Sequence, residues 1–396
     1  MSFRTLTFML AGLAMLGPFA TDAYLPAFHS IGAEFEVSQA MVQQTLSLYL
    51  TCFAVMSLFY GTLSDSFGRR SVIIGSLVLF GIGSVGAMLA PSFGWLLFFR
   101  GLQGCSAGAG RVVGQAIARD RYQGAEAQRL FANITMVFSL APAIAPVLGG
   151  YLTNLSGWRS VFGLLAVLSI LLIAASLRKL PETLPVNRRQ PFRLRVIVSN
   201  YLHALRHPPF VLAILAVGFA FSGFALYISS AASFIMKILG LSETAFGWLF
   251  IPFILGMMSG SMVNSRFAEK LAPATMIHCG QGIIALGALG NVVYNAFFTA
   301  SVPWAVLPIF VYSFGLSLAL PGMTVVTLGT FPSMRGMASS LQSFVQMTIF
   351  AVISGTIAPL LFHDALLLAL GMAGGAAMSI VLWWASTSRA ARRGEG

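Results

Sequence analysis

Acidic side chains are scarce in this sequence: 11 Asp and Glu among 396 residues, against 23 Lys and Arg. All charged residues together make up 9%, where a soluble domain carries about 25%. That shortage, with 57% hydrophobic residues and a mean hydropathy of +0.86, excludes an ordinary soluble domain. Cysteine is nearly absent as well. Cys52, Cys105 and Cys279 stand singly in separate apolar runs, which excludes a disulfide framework or a thiolate metal site and reads as ordinary buried side chains. The apolar runs also lack paired carboxylates, a metal-ligand cluster or a nucleophile–base arrangement, so nothing points to an enzyme or to a cofactor.

Long apolar runs are what the chain has instead. They separate into twelve: 5–27, 40–61, 71–91, 94–115, 129–152, 160–177, 209–231, 244–263, 274–297, 303–325, 337–361 and 364–386. A helical span needs about 20 apolar residues, and continuous runs without period-two alternation argue against a membrane barrel. The expectation is an all-α integral membrane protein of twelve transmembrane helices. Arg4 followed by an apolar run resembles a signal peptide, but the run is too long for one and continues into Asp22 and Pro26, so it reads as a retained first span.

The basic excess follows the connections. Of the 23 basic residues only Arg100, Arg111, Arg159 and Lys237 fall outside the segments that share a side with the N-terminus. Those segments hold Arg4, Arg69, Arg70, Arg119, Arg121, Arg129, the stretch 178–206, Arg266, Lys270, Arg335, Arg389, Arg392 and Arg393. This is the positive-inside pattern, and it places both termini in the cytoplasm. The net charge of +12 therefore reports topology, with contact to anionic lipid headgroups, rather than nucleic-acid binding.

One connection is long and basic. It divides the chain into a six-helix half (1–180), a cytoplasmic linker (181–208) and a second six-helix half (209–396). Other connections are short, so neighbouring helices run antiparallel. An internal echo points to duplication: Gly61-Thr62-Leu63-Ser64-Asp65-Ser66 after the second run, Gly260-Ser261-Met262-Val263-Asn264-Ser265 after the eighth. In the second copy Gly68-Arg69-Arg70 has become Phe267-Ala268-Glu269. Parallel repeats of this kind are a transporter architecture.

Asp22 is the one acid that lies within an apolar run; the other ten fall in or beside polar breaks. A carboxylate at a helix centre costs about 2.5–3.5 kcal/mol, so retaining one signals function. Protonation is the cheapest way to carry it, and a carboxyl that gains and loses a proton can couple to a proton gradient. Arg100 and Arg111 share the fourth run, eleven residues apart. At about 100° per residue they fall on one face, expected to line a shared polar cavity. Arg100 lies roughly 9 Å from the outer end of its run and Asp22 roughly 26 Å from the inner end of its own. In a core about 30 Å thick both are in the outer half. The expectation is an Asp22–Arg100 pair, direct or through water, serving either the proton or simply the joining of two helices. For Arg111 a cavity role and snorkelling to lipid phosphate stay open.

The loop Gly61-Thr62-Leu63-Ser64-Asp65-Ser66-Phe67-Gly68-Arg69-Arg70 matches Gly-x-Leu-x-Asp-x-x-Gly-Arg-Arg, the cytoplasmic motif of the major facilitator superfamily. Phe99-Arg100-Gly101-Leu102-Gln103-Gly104 is similar to the fourth-span motif of that superfamily's drug/proton antiporters. Pro142, Pro146, Gly149 and Gly150 in Ala141-Pro142-Ala143-Ile144-Ala145-Pro146-Val147-Leu148-Gly149-Gly150 resemble their fifth-span motif, with alanine at two usual glycine positions. The nearest resemblance is to the bicyclomycin-resistance (Bcr/CflA) multidrug efflux family. It rests on Asp22-Ala23-Tyr24-Leu25-Pro26, Pro181-Glu182-Thr183-Leu184-Pro185 and Arg188-Arg189-Gln190-Pro191-Phe192. The resemblance implies the major facilitator fold, rocking of two halves about a central cavity, and export of small amphipathic drugs in exchange for protons. It also implies that Asp65, Arg69 and Asp120 form a charge cluster holding the halves together. Arg111 departs from the family's pattern and argues against a preference for cationic drugs.

Asp22 and Arg100 are thus the candidates for proton coupling. Tyr24, Gln103, Arg111, Tyr227, Tyr312, Gln342 and Gln346 are candidates for the substrate cavity, with Asn264, His278 and Asn291 as further polar residues in the second half. Gly61, Asp65, Gly68, Arg69, Arg70, Asp120, Pro142, Pro146, Gly149 and Gly150 are the conformational motifs. The energy source is a proton gradient, the partners are a small-molecule drug, the proton and membrane lipid, and the expected form is a monomer in a bacterial inner membrane. An importer or exporter of a small metabolite on the same fold is the alternative.

Overall fold

The computed structural model describes residues 3–122, 124–189, 191–242, 244–267 and 270–392. Gln190, Ala268, Glu269 and Arg393 lie outside the described residues. Among those described, regular structure is helical throughout. The chain divides into two compact units, Met1–Arg193 and Leu194–Gly396.

The first unit holds α1 (Phe3–Asp22), α2 (Phe28–Phe35), α3 (Gln39–Ser57), α4 (Tyr60–Phe67), α5 (Arg69–Met88), α6 (Phe93–Ala107), α7 (Ala109–Arg121), α8 (Gly124–Ser156) and α9 (Arg159–Lys179). The second holds α10 (Leu194–Leu205), α11 (Pro208–Ala220), α12 (Ser222–Ser229), α13 (Ala231–Ser233), α14 (Gly247–Phe267) and α15 (Pro273–Phe297). It ends with α16 (Leu307–Gly329), α17 (Arg335–Val352), α18 (Ala358–Leu361) and α19 (Ala365–Arg392).

Local chemistry sets the ends. The Ser38 hydroxyl accepts from the Met41 N–H at the start of α3, and Asp364 Oδ1 accepts from the N–H groups of Leu366 and Leu367 at α19. Pro208 and Pro209 open α11, where the missing donors are not needed, and His207 Nδ1 accepts from the Phe210 N–H. Pro26 cannot donate to the Asp22 carbonyl, so α1 stops at Asp22 and the chain passes through a 3-10 turn, Leu25–Ala27, into α2.

By length and composition, nine helical segments among the described residues are apolar enough to cross a membrane, and ten with the bent pair α3–α4, whose axes differ by 52°. The run 94–115 emerges as two shorter helices, α6 and α7, meeting at Gly108. The two units repeat one packing scheme. In the first, α1 packs on α8 and α9, α3 on α6, and α5 on α6 and α9. In the second, α11 packs on α17 and α19, α14 on α16, and α15 on α16 and α19. This shared pairing is the structural form of the sequence echo.

Candidate functional site

The first unit buries a polar network around the end of α1. Asp22, the last residue of that helix, is 2% exposed. Its Oδ1 accepts from the Thr21 hydroxyl at 2.8 Å, which also reaches the Pro18 carbonyl at 3.0 Å. Arg100, from α6, is wholly buried. Its Nη1 donates to the Ala20 carbonyl at 3.0 Å and to Gln103 Oε1 at 2.8 Å. Its Nε and Nη2 are buried without an acceptor. The guanidinium lies over the rings of Tyr24 (4.1 Å to the centroid) and Tyr49 (4.5 Å), with Phe162 at 5.9 Å. Arginine suits this slot because a flat, weakly hydrated cation stacks on aromatic faces.

These bonds extend to two further helices. Gln103 Nε2 donates to the Ser84 hydroxyl on α5, and Ser84 donates to the Phe80 carbonyl, both at 2.8 Å. The Tyr24 hydroxyl meets the Thr45 hydroxyl of α3 at 3.1 Å, and the Tyr49 hydroxyl donates to the Gly17 carbonyl at 3.3 Å. Thr45, Tyr49 and Ser84 were not singled out in the sequence. Thr45 and Tyr49 stand four apart in α3 and so share a face, which was a legible signal. Ser84 offered none.

Two expectations need correction here. Of the expected Asp22–Arg100 pair, the direct form is the one corrected: among the described residues the four ion pairs lie elsewhere. Arg100 instead holds the Ala20 carbonyl, two residues before Asp22, bonds Gln103 and stacks on two rings. Nor do Arg100 and Arg111 line a shared cavity. Arg100 is sealed, while Arg111, beyond the break at Gly108, is exposed. Phase along the helix gave a direction but not the depth of packing around each position. The cysteines also differ from expectation, since Cys52 and Cys105 are half-buried and Cys279 is exposed.

Pro142 and Pro146 lie inside α8, which presents Gly149 to the same break. A Cβ at 149 would overlap the Ala23 carbonyl oxygen, so only glycine lets α8 pack there. Gly150 is buried beside it.

At the loop between α4 and α5, Gly68 adopts φ +95°, which a side chain would strain. Arg69 Nη1 pairs with Asp65 Oδ1 at 2.5 Å, and Arg69 Nε with Asp120 Oδ2 of α7 at 3.2 Å. Arg70 Nη2 donates to the Leu177 carbonyl at 2.6 Å. Every member belongs to the first unit. Glu182, quoted above only as part of a linker motif, is central to it. Its Oε1 accepts from the Arg69 N–H at 3.0 Å and its Oε2 from the Arg70 N–H at 3.3 Å, so a carboxylate caps the N-terminus of α5. Thr183 donates to Asp120 at 2.9 Å. Gly61 lies apart, with open space where a side chain would be.

The second unit buries only neutral groups at its corresponding places. The Tyr312 hydroxyl, from α16, donates to the Ala220 carbonyl at 2.8 Å and accepts from the Gly223 N–H at 3.3 Å, across the break between α11 and α12. Asn291 Nδ2 donates to the Tyr227 hydroxyl at 2.6 Å, and Asn295 Nδ2 to Asn291 Oδ1 at 2.9 Å. Gln342 Nε2 donates to the Thr324 hydroxyl at 3.3 Å. Gln342 and Gln346 lie half-buried on α17. Asn264 donates to the Leu318 carbonyl at 2.8 Å, and His278 is exposed.

Residues 10–355 match the family model of the Major Facilitator Superfamily. The chain is 28% identical to a bicyclomycin resistance protein homolog of Haemophilus influenzae over 377 residues, 95% of this chain and 94% of that protein. It is 26% identical to multidrug resistance protein D of Escherichia coli over 343 residues, 86% of this chain and 85% of that one. The human organic anion transporter MFSD10 (TETRAN) has the same fold, with a TM-score of 0.71 at 16% identity, over 98% of this chain and 100% of that one.

Proposed function

The chain belongs to the major facilitator superfamily, and from that premise we propose that it exports small amphipathic drugs, phenicol- or bicyclomycin-like, in exchange for protons. It is a multi-pass membrane transporter, not an enzyme. The observation that carries the proposal is Asp22, the only acid within an apolar run, buried at the break of α1 between the Ala20 carbonyl that the stacked Arg100 holds and the Ala23 carbonyl that Gly149 of α8 meets. A buried carboxyl at a helix break is placed to alter local structure when it binds or releases a proton. The names of the multidrug relatives support the substrate class.

In the proposed cycle Asp22 takes a proton from outside as drug leaves, and releases it toward the cytoplasm when drug binds, by alternating access. Arg100 biases the exchange through the Ala20 carbonyl rather than by pairing with the carboxylate. The Asp65–Arg69–Asp120–Glu182 cluster holds the loop at the start of α5 in one facing state. A proton gradient is the energy source, no cofactor takes part, and the protein works as a monomer in a bacterial inner membrane with both termini cytoplasmic. The test is transport of a phenicol, bicyclomycin or a dye by proteoliposomes under an imposed pH gradient. Gradient-dependent transport by the native protein and none by the folded Asp22→Asn variant is the expected result. Equal transport by both rejects the role of Asp22, and transport indifferent to the gradient rejects the antiport.

A further inference from the structure

The helix of the linker, α10, carries two apolar stripes, and only one of them is used by the protein. Ile197 and Ala204 are buried and Tyr201 is half-buried, at spacing i, i+4, i+7, where α10 packs on α11 and α17. Tyr201 bonds to Ser340 of α17. His203 and His207 rest against Phe331, with ring centroids 6.1 and 5.6 Å away. The second stripe is Leu194, Val198, Leu202 and Leu205, at i, i+4, i+8, i+11, each about half exposed. Arg195 and Arg206 are both exposed and lie eleven residues apart, so they fall on one line along the helix, bordering that stripe. Ser199 and His203 are exposed beyond them. Val196 is the one apolar side chain outside both stripes.

Chain connectivity fixes where this surface is. Leu205 ends α10 and Pro208 begins a segment, Pro208–Ser229, apolar enough to cross the membrane. Three residues reach at most about 11 Å. A helix whose apolar face and arginine border are held that close to the bilayer sits at the depth, about 5–10 Å into the headgroup–acyl boundary, where amphipathic helices lie. The partner that fits is a leaflet containing anionic phospholipid: acyl chains for the leucine stripe, phosphates for the two guanidinium groups.

We propose that α10 lies in the membrane interface, with Leu194, Val198, Leu202 and Leu205 immersed and Arg195 and Arg206 holding anionic headgroups. Its bonds to α17 make it a strut between the leaflet and that helix. With the orientation proposed above, the leaflet is the cytoplasmic one.

The test places nitroxide labels singly at positions 194, 198, 202, 199 and 203 of the full chain, with the native cysteines replaced, in vesicles of phosphatidylcholine with or without phosphatidylglycerol. Labels at 194, 198 and 202 should collide with oxygen and be shielded from a soluble nickel chelate, while 199 and 203 show the reverse. Phosphatidylglycerol should raise the thermal midpoint of the native protein, and Arg195→Gln with Arg206→Gln should remove at least half of that gain. Nickel access at 198 and 202 equal to that at 199 overturns the proposal. Shielding of 198 and 202 from both reagents overturns it too, in favour of a protein occupant. Dipolar broadening between copies would assign that occupant to a second chain. Reduction of the labels by external ascorbate reports sidedness separately: labels immersed but on the outer side would retain the interfacial helix and reject the cytoplasmic orientation.

Discussion

The two halves solve one mechanical problem with different chemistry. In each, the first long helix breaks within the apolar layer, and a side chain from the fourth span ties down a carbonyl freed at that break. In the first half Arg100 of α6 holds Ala20; in the second Tyr312 of α16 holds Ala220. The packing scheme around the two breaks is the same. What differs is charge. The first break has a carboxyl two residues beyond the tied carbonyl and a cation on it, whereas the second has a phenol and, nearby, an Asn291–Tyr227 pair. A duplicated scaffold needs the tie in both places, but among the described residues only the first copy buries a carboxyl and a guanidinium beside it.

The largest expected effect breaks that asymmetry at its source. Asp22→Asn should abolish gradient-driven transport in proteoliposomes while the folded yield is unchanged, because an amide fits the Thr21 contact but carries no exchangeable charge. Asn291→Ala, the buried polar change in the other half, should leave the dependence on the gradient intact. If Asn291→Ala proves as damaging to coupling as Asp22→Asn, the division of labour is wrong.

Next in size is packing at the two breaks. Gly149→Val sets a side chain against the Ala23 carbonyl, which is backbone and cannot step aside; overpacking of this kind costs about 1–3 kcal/mol, and more where the backbone must move. Gly218→Ala, where α11 meets α17, meets only the tip of Ile349, a side chain that can turn away. Fluorescence-detected size exclusion should show Gly149→Val losing most of its monodisperse peak and Gly218→Ala little. Equal profiles would mean that the α8 contact is not specific to the half that buries Asp22.

Arg100→Ala follows. Hydrogen bonds to charged groups contribute about 1.5–3 kcal/mol each, and this arginine makes two of them besides its ring contacts. The variant should transport at a reduced rate, with a shifted pH dependence, because the Ala20 carbonyl beside Asp22 loses its donor. An unchanged pH profile would reduce Arg100 to a fastening between helices.

The fold was legible because its signals are long: twelve apolar runs, one basic linker and a pattern of arginines that does not depend on any single residue. The burial of Asp22 at a helix end was legible for a related reason, since one acid in an apolar run stands out against its neighbours, though the run alone did not choose between carrying a proton and joining two helices. Its partnership with Arg100 was only half legible. Depth and helical phase put the two at one level, yet whether a guanidinium turns to a carboxylate or to a carbonyl and two rings is decided by packing a few ångströms across, and no periodicity encodes that. Glu182 shows the same limit from the other side. It belonged to a recognisable motif, but its work as a cap on α5 depends on where a linker of prolines and arginines folds back. Arg111 read as a twin of Arg100 because a helix was taken as continuous through Gly108.

The smallest effect expected is the sharpest test of the shared tie. Tyr312→Phe keeps the ring and deletes one neutral hydroxyl, which donates to the Ala220 carbonyl and accepts from the Gly223 N–H. A neutral hydrogen bond contributes about 0.5–1.5 kcal/mol net, so the thermal midpoint should fall slightly, and transport should keep its gradient dependence. The Ala220 carbonyl is left at a helix break with α16 packed over it, the same predicament that Arg100→Ala creates at Ala20. If the two ties are mechanically equivalent, both variants lower stability and only Arg100→Ala moves the pH profile. A pH shift in Tyr312→Phe would show instead that the second break moves with the proton, and that the charge in the first half drives a motion both halves share.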